Sequence, residues 1–228
     1  MWNHSIHICQ LRKIYIYMPV VNNVTTKETV ESIHDKLSDN VYTRLSRELA
    51  DIGLTGLPNN LSIVAFKREK ILELYTAVNG MHHLIKQYPF FASSGLIGPK
   101  LKEGDKQIPE GIYQVEYLNP NSKFYLSIKV NYPNEYDKQK AKEDNRNDIG
   151  SDIFIHGKDV TVGCIPLGDT AIEEVFLLVS QSIDHEIEII IAPHDFRSDP
   201  EYPVITSVDW SAELYGNITN RLKDYISL

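Results

Sequence analysis

Seven short runs rich in aliphatic, aromatic and β-branched residues, each bounded by turn-forming residues, constrain this chain more than any other feature. They cover residues 61–67, 71–77, 81–88, 111–118, 124–130, 153–155 and 188–192. A core built mainly from β-strands follows, and three helical stretches stand beside it. In the first, Val30, Ile33, Leu37, Val41, Leu45 and Leu49 recur at helical spacing over 27–50, and Gly53, Gly56 and Pro58 close the segment. In the second, Ile172, Val175, Phe176 and Val179 form a buried-helix stripe, and Thr170 with Glu173 has the spacing of a capping box. In the last, Trp210, Leu214, Ile218 and Leu222 at four-residue steps predict a terminal helix packed on the core. The expected class is therefore α+β, mainly β. Its parts are a helical extension over 1–58, a central domain over 59–200 and a helical tail over 201–228.

Chemistry concentrates around one turn. His156-Gly157 and Gly163-Cys164 place an imidazole and a thiol eight residues apart, with His156 at the end of a short strand. A thiol becomes a nucleophile when it ionises, and a neighbouring imidazole can take its proton. Cys164 is the candidate nucleophile and His156 the candidate base. Gly163 permits close backbone approach, so the amides of Gly163 and Cys164 are expected to form an oxyanion hole. A lone cysteine is commonly a small buried hydrophobe, so the pair needs its context to carry this reading.

That context is specific. Ile155-His156-Gly157, Thr161-Val162-Gly163-Cys164-Ile165-Pro166-Leu167, Asp169 and Ile172-Glu173-Glu174-Val175 resemble the L,D-transpeptidase catalytic domain family, in its short-motif murein branch. Gly98-Pro99-Lys100-Leu101, the stretch from Glu103 to Tyr113, and Asn131-Tyr132-Pro133-Asn134 resemble the family's upstream glycine and proline elements, in the same order. The resemblance covers roughly 61–193 and implies a β-sandwich. Two positions depart from the pattern: Pro166 stands where many members carry arginine, and Thr161 where serine is commoner.

The resemblance implies that Cys164 attacks the carbonyl on the L-centre of diaminopimelate in a peptidoglycan stem peptide, forming a thioester. Transfer to an amine makes this an L,D-transpeptidase. Transfer to water makes it an L,D-carboxypeptidase or amidase that trims stems or detaches an envelope lipoprotein. A murein-binding module without turnover is the reading from another class. The resemblance also implies that the backbone carbonyl of Gly157 orients His156, and that the Thr161 hydroxyl is retained for hydrogen bonding near the substrate. Because the stem is anionic, Lys100 is a candidate substrate contact, with Lys158 a second, and Tyr132 is expected near the cleft, as is Tyr88.

Other functions are disfavoured. A net charge of -8, without basic blocks interleaved with aromatics, argues against a nucleic-acid partner. The adjacent His82 and His83 would point to opposite faces of a strand, and His185 and His194 lack a third ligand at a familiar spacing, so neither a metal nor another cofactor is expected. A Cys9–Cys164 disulfide would cap the nucleophile, so a reduced thiol is expected. The sign-alternating stretch 137–152 reads as a mobile polar insertion that could cover the cleft. By resemblance the site of action is the cell envelope or periplasm. Residues 1–24 nevertheless lack the small-residue cleavage site of a signal peptide, and no membrane-spanning segment is evident. Nothing in the sequence sets the oligomeric state.

Overall fold

The apolar and β-branched runs become strands in the computed structural model, which describes residues 27–160 and 162–225. Strands β1 (Ser62–Phe66), β2 (Ile71–Val78), β3 (Met81–Pro89), β4 (Gly111–Ser122), β5 (Tyr125–Val130), β6 (Phe154–His156), β7 (Ile165–Pro166) and β8 (Glu188–Ala192) join in the order β3-β2-β1-β8-β4-β5-β6-β7. Pairings are antiparallel except β1 with β8 and β6 with β7. Strand β4 is the hinge of the sheet. Its first residues, Gly111 to Gln114, pair with β8, whereas Val115 to Ser122 pair with β5 through two register shifts. Such irregularities bend a strand. The expected sandwich thus takes the form of two sheet halves that share β4.

Both halves close on one core. Ile63, Leu72 and Leu74 from one half meet Leu126, Ile128, Val130, Ile155 and Ile165 from the other. Helix α1 (Val30–Asp51) adds Ile33, Val41, Leu45 and Leu49, and helix α3 (Asp169–Gln181) adds Ile172, Val175, Phe176 and Val179. Each such side chain contributes about 1.5–3 kcal/mol when fully buried. On the opposite face of β1, β2 and β8, helix α4 (Ser211–Leu222) buries Leu214, Tyr215, Ile218 and Leu222 against Val64, Phe66 and Ile190. Burial from both sides explains the unbroken apolar run Ile189-Ile190-Ile191 in β8.

Local signals account for most helix ends. Thr29 caps α1, accepting from the Ser32 amide while the Ser32 hydroxyl accepts from Thr29. The capping box expected at Thr170 does not form. Helix α3 begins at Asp169 after Gly168, with no side-chain cap, and Glu173 accepts instead from Arg44 and Tyr125. The stretch 137–152 also differs from expectation, because Glu135–Glu143 forms helix α2. Asn134 and Asp137 cap it reciprocally, and Arg146 beyond it donates to the Leu101 carbonyl at 2.9 Å. Polarity hid this helix, since its buried residues are Lys140 and Ala141 rather than an apolar stripe. Cys9, Thr161 and the segment 1–24 lie outside the described residues. No helix among the described residues is long and apolar enough to cross a membrane.

One buried ion pair fastens the loop that leads into β4. Lys67 Nζ donates to Glu110 Oε1 at 2.8 Å and to the carbonyls of Gly98 and Ile108, each at 2.9 Å. Glu110 also accepts from the Gly98 amide and from the Tyr215 hydroxyl of α4, each at 2.8 Å. Removing one member strands the other charge. Lys67→Met should therefore cost about 3–5 kcal/mol in urea unfolding. Combining it with Glu110→Gln should recover part of that loss, whereas additive losses would show the pair to be uncoupled.

Candidate active site

Strand register assembles the site. In β5 and β6 the residues Leu126, Ile128, Val130 and Ile155 face the core, so Ser127, Lys129, Phe154 and His156 face the other way. Lys129 pairs with Phe154, and Ser127 with His156. Next, β7 pairs Ile155 with Ile165 and His156 with Pro166. Extending that register by one residue sets Cys164 beside Phe154, on the face that carries His156. Tyr117 of β4 pairs with Lys129, so Tyr117, Lys129 and Phe154 form one row across three strands, with Cys164 just before β7 at its end. The row of His156 lies next to it.

His156 is 1% exposed, and its ring lies against Phe124 with centroids 4.5 Å apart. Its Nδ1 is 2.5 Å from the Gly157 carbonyl oxygen. A carbonyl only accepts, so Nδ1 carries the proton and Nε2 keeps the lone pair of a base. Burial pushes the imidazole pKa below its ordinary 6.5, against the opposing pull of the Gly157 carbonyl. The carbonyl implied by the resemblance is therefore in place. Gly157 is locked there by close packing: a Cβ at this position would lie 2.6 Å from the Phe124 carbonyl and 2.8 Å from Asp169 Oδ1.

Cys164 is half-buried, with Sγ 3.7 Å from the Asp152 carbonyl. Burial pushes its thiol pKa up, opposed by the Phe154 backbone and by Lys129. Both shifts favour uncharged partners, thiol and imidazole, in the resting state. Asp169 closes the turn between them, accepting from the Lys158 amide at 3.0 Å and the Lys158 ammonium at 2.6 Å.

Gly163 has φ +84, a conformation that favours glycine, and a Cβ added to it would lie 3.3 Å from the Gln107 carbonyl. Its amide donates to Ser94 Oγ at 2.6 Å, which corrects the expectation that it faces a substrate oxygen. An acceptor inside the protein already occupies that N–H. Cys164 remains the candidate oxyanion donor of the pair. Ser94 had no sequence signal, because it reaches the turn from a loop far away in the chain.

Most of the expected substrate contacts are bonded within the protein. Lys100 is buried, donating to Asp105 Oδ1 at 2.6 Å and to the Lys102 carbonyl at 2.8 Å. Tyr132 is 2% exposed and donates to the Ile149 carbonyl, yet it lines the groove described below, while Tyr88 donates to Glu174. These three stabilise loops and helix contacts, and Lys158 is tied to Asp169. The residue that sequence reasoning missed is Lys129. Alternation in Leu126-Ser127-Ile128-Lys129-Val130 could have placed it on the face of His156. It lines a groove of about 940 Å³ together with Asp152, whose carbonyl touches the thiol.

Two outcomes follow from this geometry. Iodoacetamide alkylation of Cys164, followed from about pH 5 to about pH 9, should lose its acid limb below the ordinary imidazole value, because His156 stays unprotonated there. In His156→Ala the reaction should shift to alkaline pH, as expected for a thiol whose pKa burial has raised; an unchanged profile refutes the pairing. Gly157→Ala should lower the thermal midpoint by the equivalent of about 1–3 kcal/mol and slow alkylation at neutral pH, since the added methyl meets the Phe124 carbonyl and Asp169, and the Gly157 backbone that holds His156 must shift.

The chain is similar to known proteins. YafK from Escherichia coli (strain K12) and its counterpart in strain O157:H7, both named as candidate L,D-transpeptidases, are 34% identical to the chain over 132 residues. That region is 57% of this chain and 50% of theirs, so the chain spans about half the length of these relatives. The crystal structure of the helical cell shape determining protein Pgp2 from Campylobacter jejuni matches the fold with a TM-score of 0.50 at 24% identity, over 66% of this chain and 55% of Pgp2. The family model of the L,D-transpeptidase catalytic domain matches residues 61–191, more than half of the chain, and the chain belongs to that family.

Proposed function

We propose that this protein is a cysteine acyltransferase acting on peptidoglycan stem peptides in the cell envelope. The observation that carries the reading is the shared sheet face of His156 and Cys164, with His156 Nδ1 held by the Gly157 carbonyl so that Nε2 serves as base.

The chemistry runs in two halves. His156 Nε2 takes the Cys164 proton as Sγ attacks the carbonyl on the L-centre of diaminopimelate, and the Cys164 amide is the candidate donor to the oxygen that becomes negative. As the intermediate collapses, the amide C–N bond breaks and the imidazolium protonates the departing amine. A thioester remains. An incoming amine then attacks it, His156 accepts the amine proton, and the new amide leaves as the thiol is restored. Water in place of the amine gives stem trimming or release of an attached lipoprotein by the same steps.

Neutral resting partners suit this sequence. A buried thiol and a buried imidazole both resist charge until a substrate carbonyl gives the electron pair somewhere to go.

A carbapenem, which mimics the acyl donor, should form a covalent adduct seen by intact mass and lost in Cys164→Ala. Purified tetrapeptide stems should then give dimers. Tripeptides would identify water as the acceptor, and unchanged stems beside a released lipoprotein peptide would identify detachment. His156→Ala should reduce turnover roughly a hundred- to ten-thousandfold. Absence of both adduct and thiol alkylation at neutral pH would leave the murein-binding module standing.

A further inference from the structure

Four lysines are buried among the described residues, and three of them are closely bound. Lys67 and Lys100 hold carboxylates at 2.8 and 2.6 Å, and Lys140 holds Glu213 at 2.9 Å. Lys129 differs. Its ammonium donates to the Val130 carbonyl at a long 3.3 Å, and its nearest carboxylates are Glu116 at 3.8 Å and Asp152 at 3.9 Å. Both carboxylates belong to exposed side chains, 49% and 78% accessible, which water solvates well. An ammonium has three donors, and burial without short acceptors is costly. Lys129 is therefore positioned but under-satisfied.

Its location gives the imbalance a use. Lys129 lines the groove together with Asp152, whose carbonyl accepts from Cys164 Sγ at 3.7 Å, and its Nζ lies 5.4 Å from the centroid of Phe154, its partner in the strand pairing. Two strand spacings separate the lysine and cysteine backbones, roughly 10 Å. Even across Phe154 the ammonium is close enough for its charge to act on the Cys164 thiol.

We propose that Lys129 recognises a carboxylate of the acyl donor and sets its scissile carbonyl against Cys164. The inference deepens the proposed function and rests on its assignment of Cys164 as nucleophile. The carboxylate has two sources in a stem peptide: the terminal α-carboxylate of the departing residue, or the carboxylate on the D-centre of diaminopimelate. Either would complete the ammonium's hydrogen bonds, and a charge-assisted contact in a partly dry groove discriminates strongly against a neutral analogue.

The test compares two alkylating agents that differ in charge. Iodoacetate carries a carboxylate and iodoacetamide does not, so their rate ratio at Cys164 reports anion recognition while iodoacetamide alone controls for thiol reactivity and folding. Lys129→Met should lower the iodoacetate to iodoacetamide ratio roughly ten- to a hundredfold, and Lys129→Arg should keep most of it. In the unsubstituted protein the ratio should exceed that of cysteine in solution and fall with added salt, despite the net charge of -8. This second measurement decides the matter if Lys129→Met does not fold. A ratio unchanged by Lys129→Met, or a salt-insensitive ratio no higher than that of cysteine in solution, overturns the proposal.

Stem tetrapeptides identify the source. If the terminal carboxylate is read, a C-terminal carboxamide substrate should show the raised KM of Lys129→Met and be insensitive to that substitution. If the D-centre carboxylate is read, the substrate amidated there should behave so. A lysine-dependent alkylation ratio without turnover of any stem would sustain carboxylate recognition and refute the peptidoglycan reading.

Discussion

The buried pair of Lys67 and Glu110 is the constraint on which the site's architecture hangs. It joins the end of β1, the Gly98 turn, the Ile108 carbonyl and helix α4 in one fully bonded cluster. The loops it anchors contain Gln107, whose carbonyl backs Gly163, and adjoin Ser94, whose hydroxyl accepts the Gly163 amide. Gln107 Oε1 also accepts from the Leu96 amide at 2.7 Å, linking the two loops. A buried charge pair is a poor source of net stability but a strong penalty against wrong arrangements. Here its value lies in fixing where the turn before Cys164 must stand.

The sheet performs a second task by having two different faces. Leu126, Ile128, Val130 and Ile155 close the core, and the intervening positions carry Ser127, Lys129, Phe154 and His156. Strand pairing then aligns polar side chains from separate strands without any further device. Precision comes from the ladder, because a one-residue slip would send His156 into the core and Ile155 into the cleft. The electrostatics follow from the same placement: burial pushes the Cys164 thiol pKa up and the His156 imidazole pKa down, so both groups resist charge.

Sequence patterns made the strands legible because runs of aliphatic, aromatic and β-branched residues between turn formers favour extended backbone, and every expected run contains or overlaps a strand. The His156-Gly157 relation was legible through resemblance, and the structure supplies the carbonyl contact. Helix α2 was not legible by periodicity, since Lys140 and Ala141 are its buried residues. The Thr170 box misled because a spacing rule cannot tell whether Glu173 turns back to the helix start or outward to Arg44 and Tyr125. Lys100 misled for a related reason. Its charge suggested a ligand, but Asp105 lies close enough in the folded loop to bind it.

By itself the sequence determined the strand runs and the amphipathic helices, local patterns set by backbone preference and side-chain type, and through resemblance it singled out His156 and Cys164 as candidates. Only the tertiary structure decided which lysine is committed and which is loosely held, which amide Ser94 occupies, and which residues share the row of Cys164. Those outcomes depend on register and loop closure between segments distant in the chain, and the free energy of such contacts is set by geometry that no local pattern encodes.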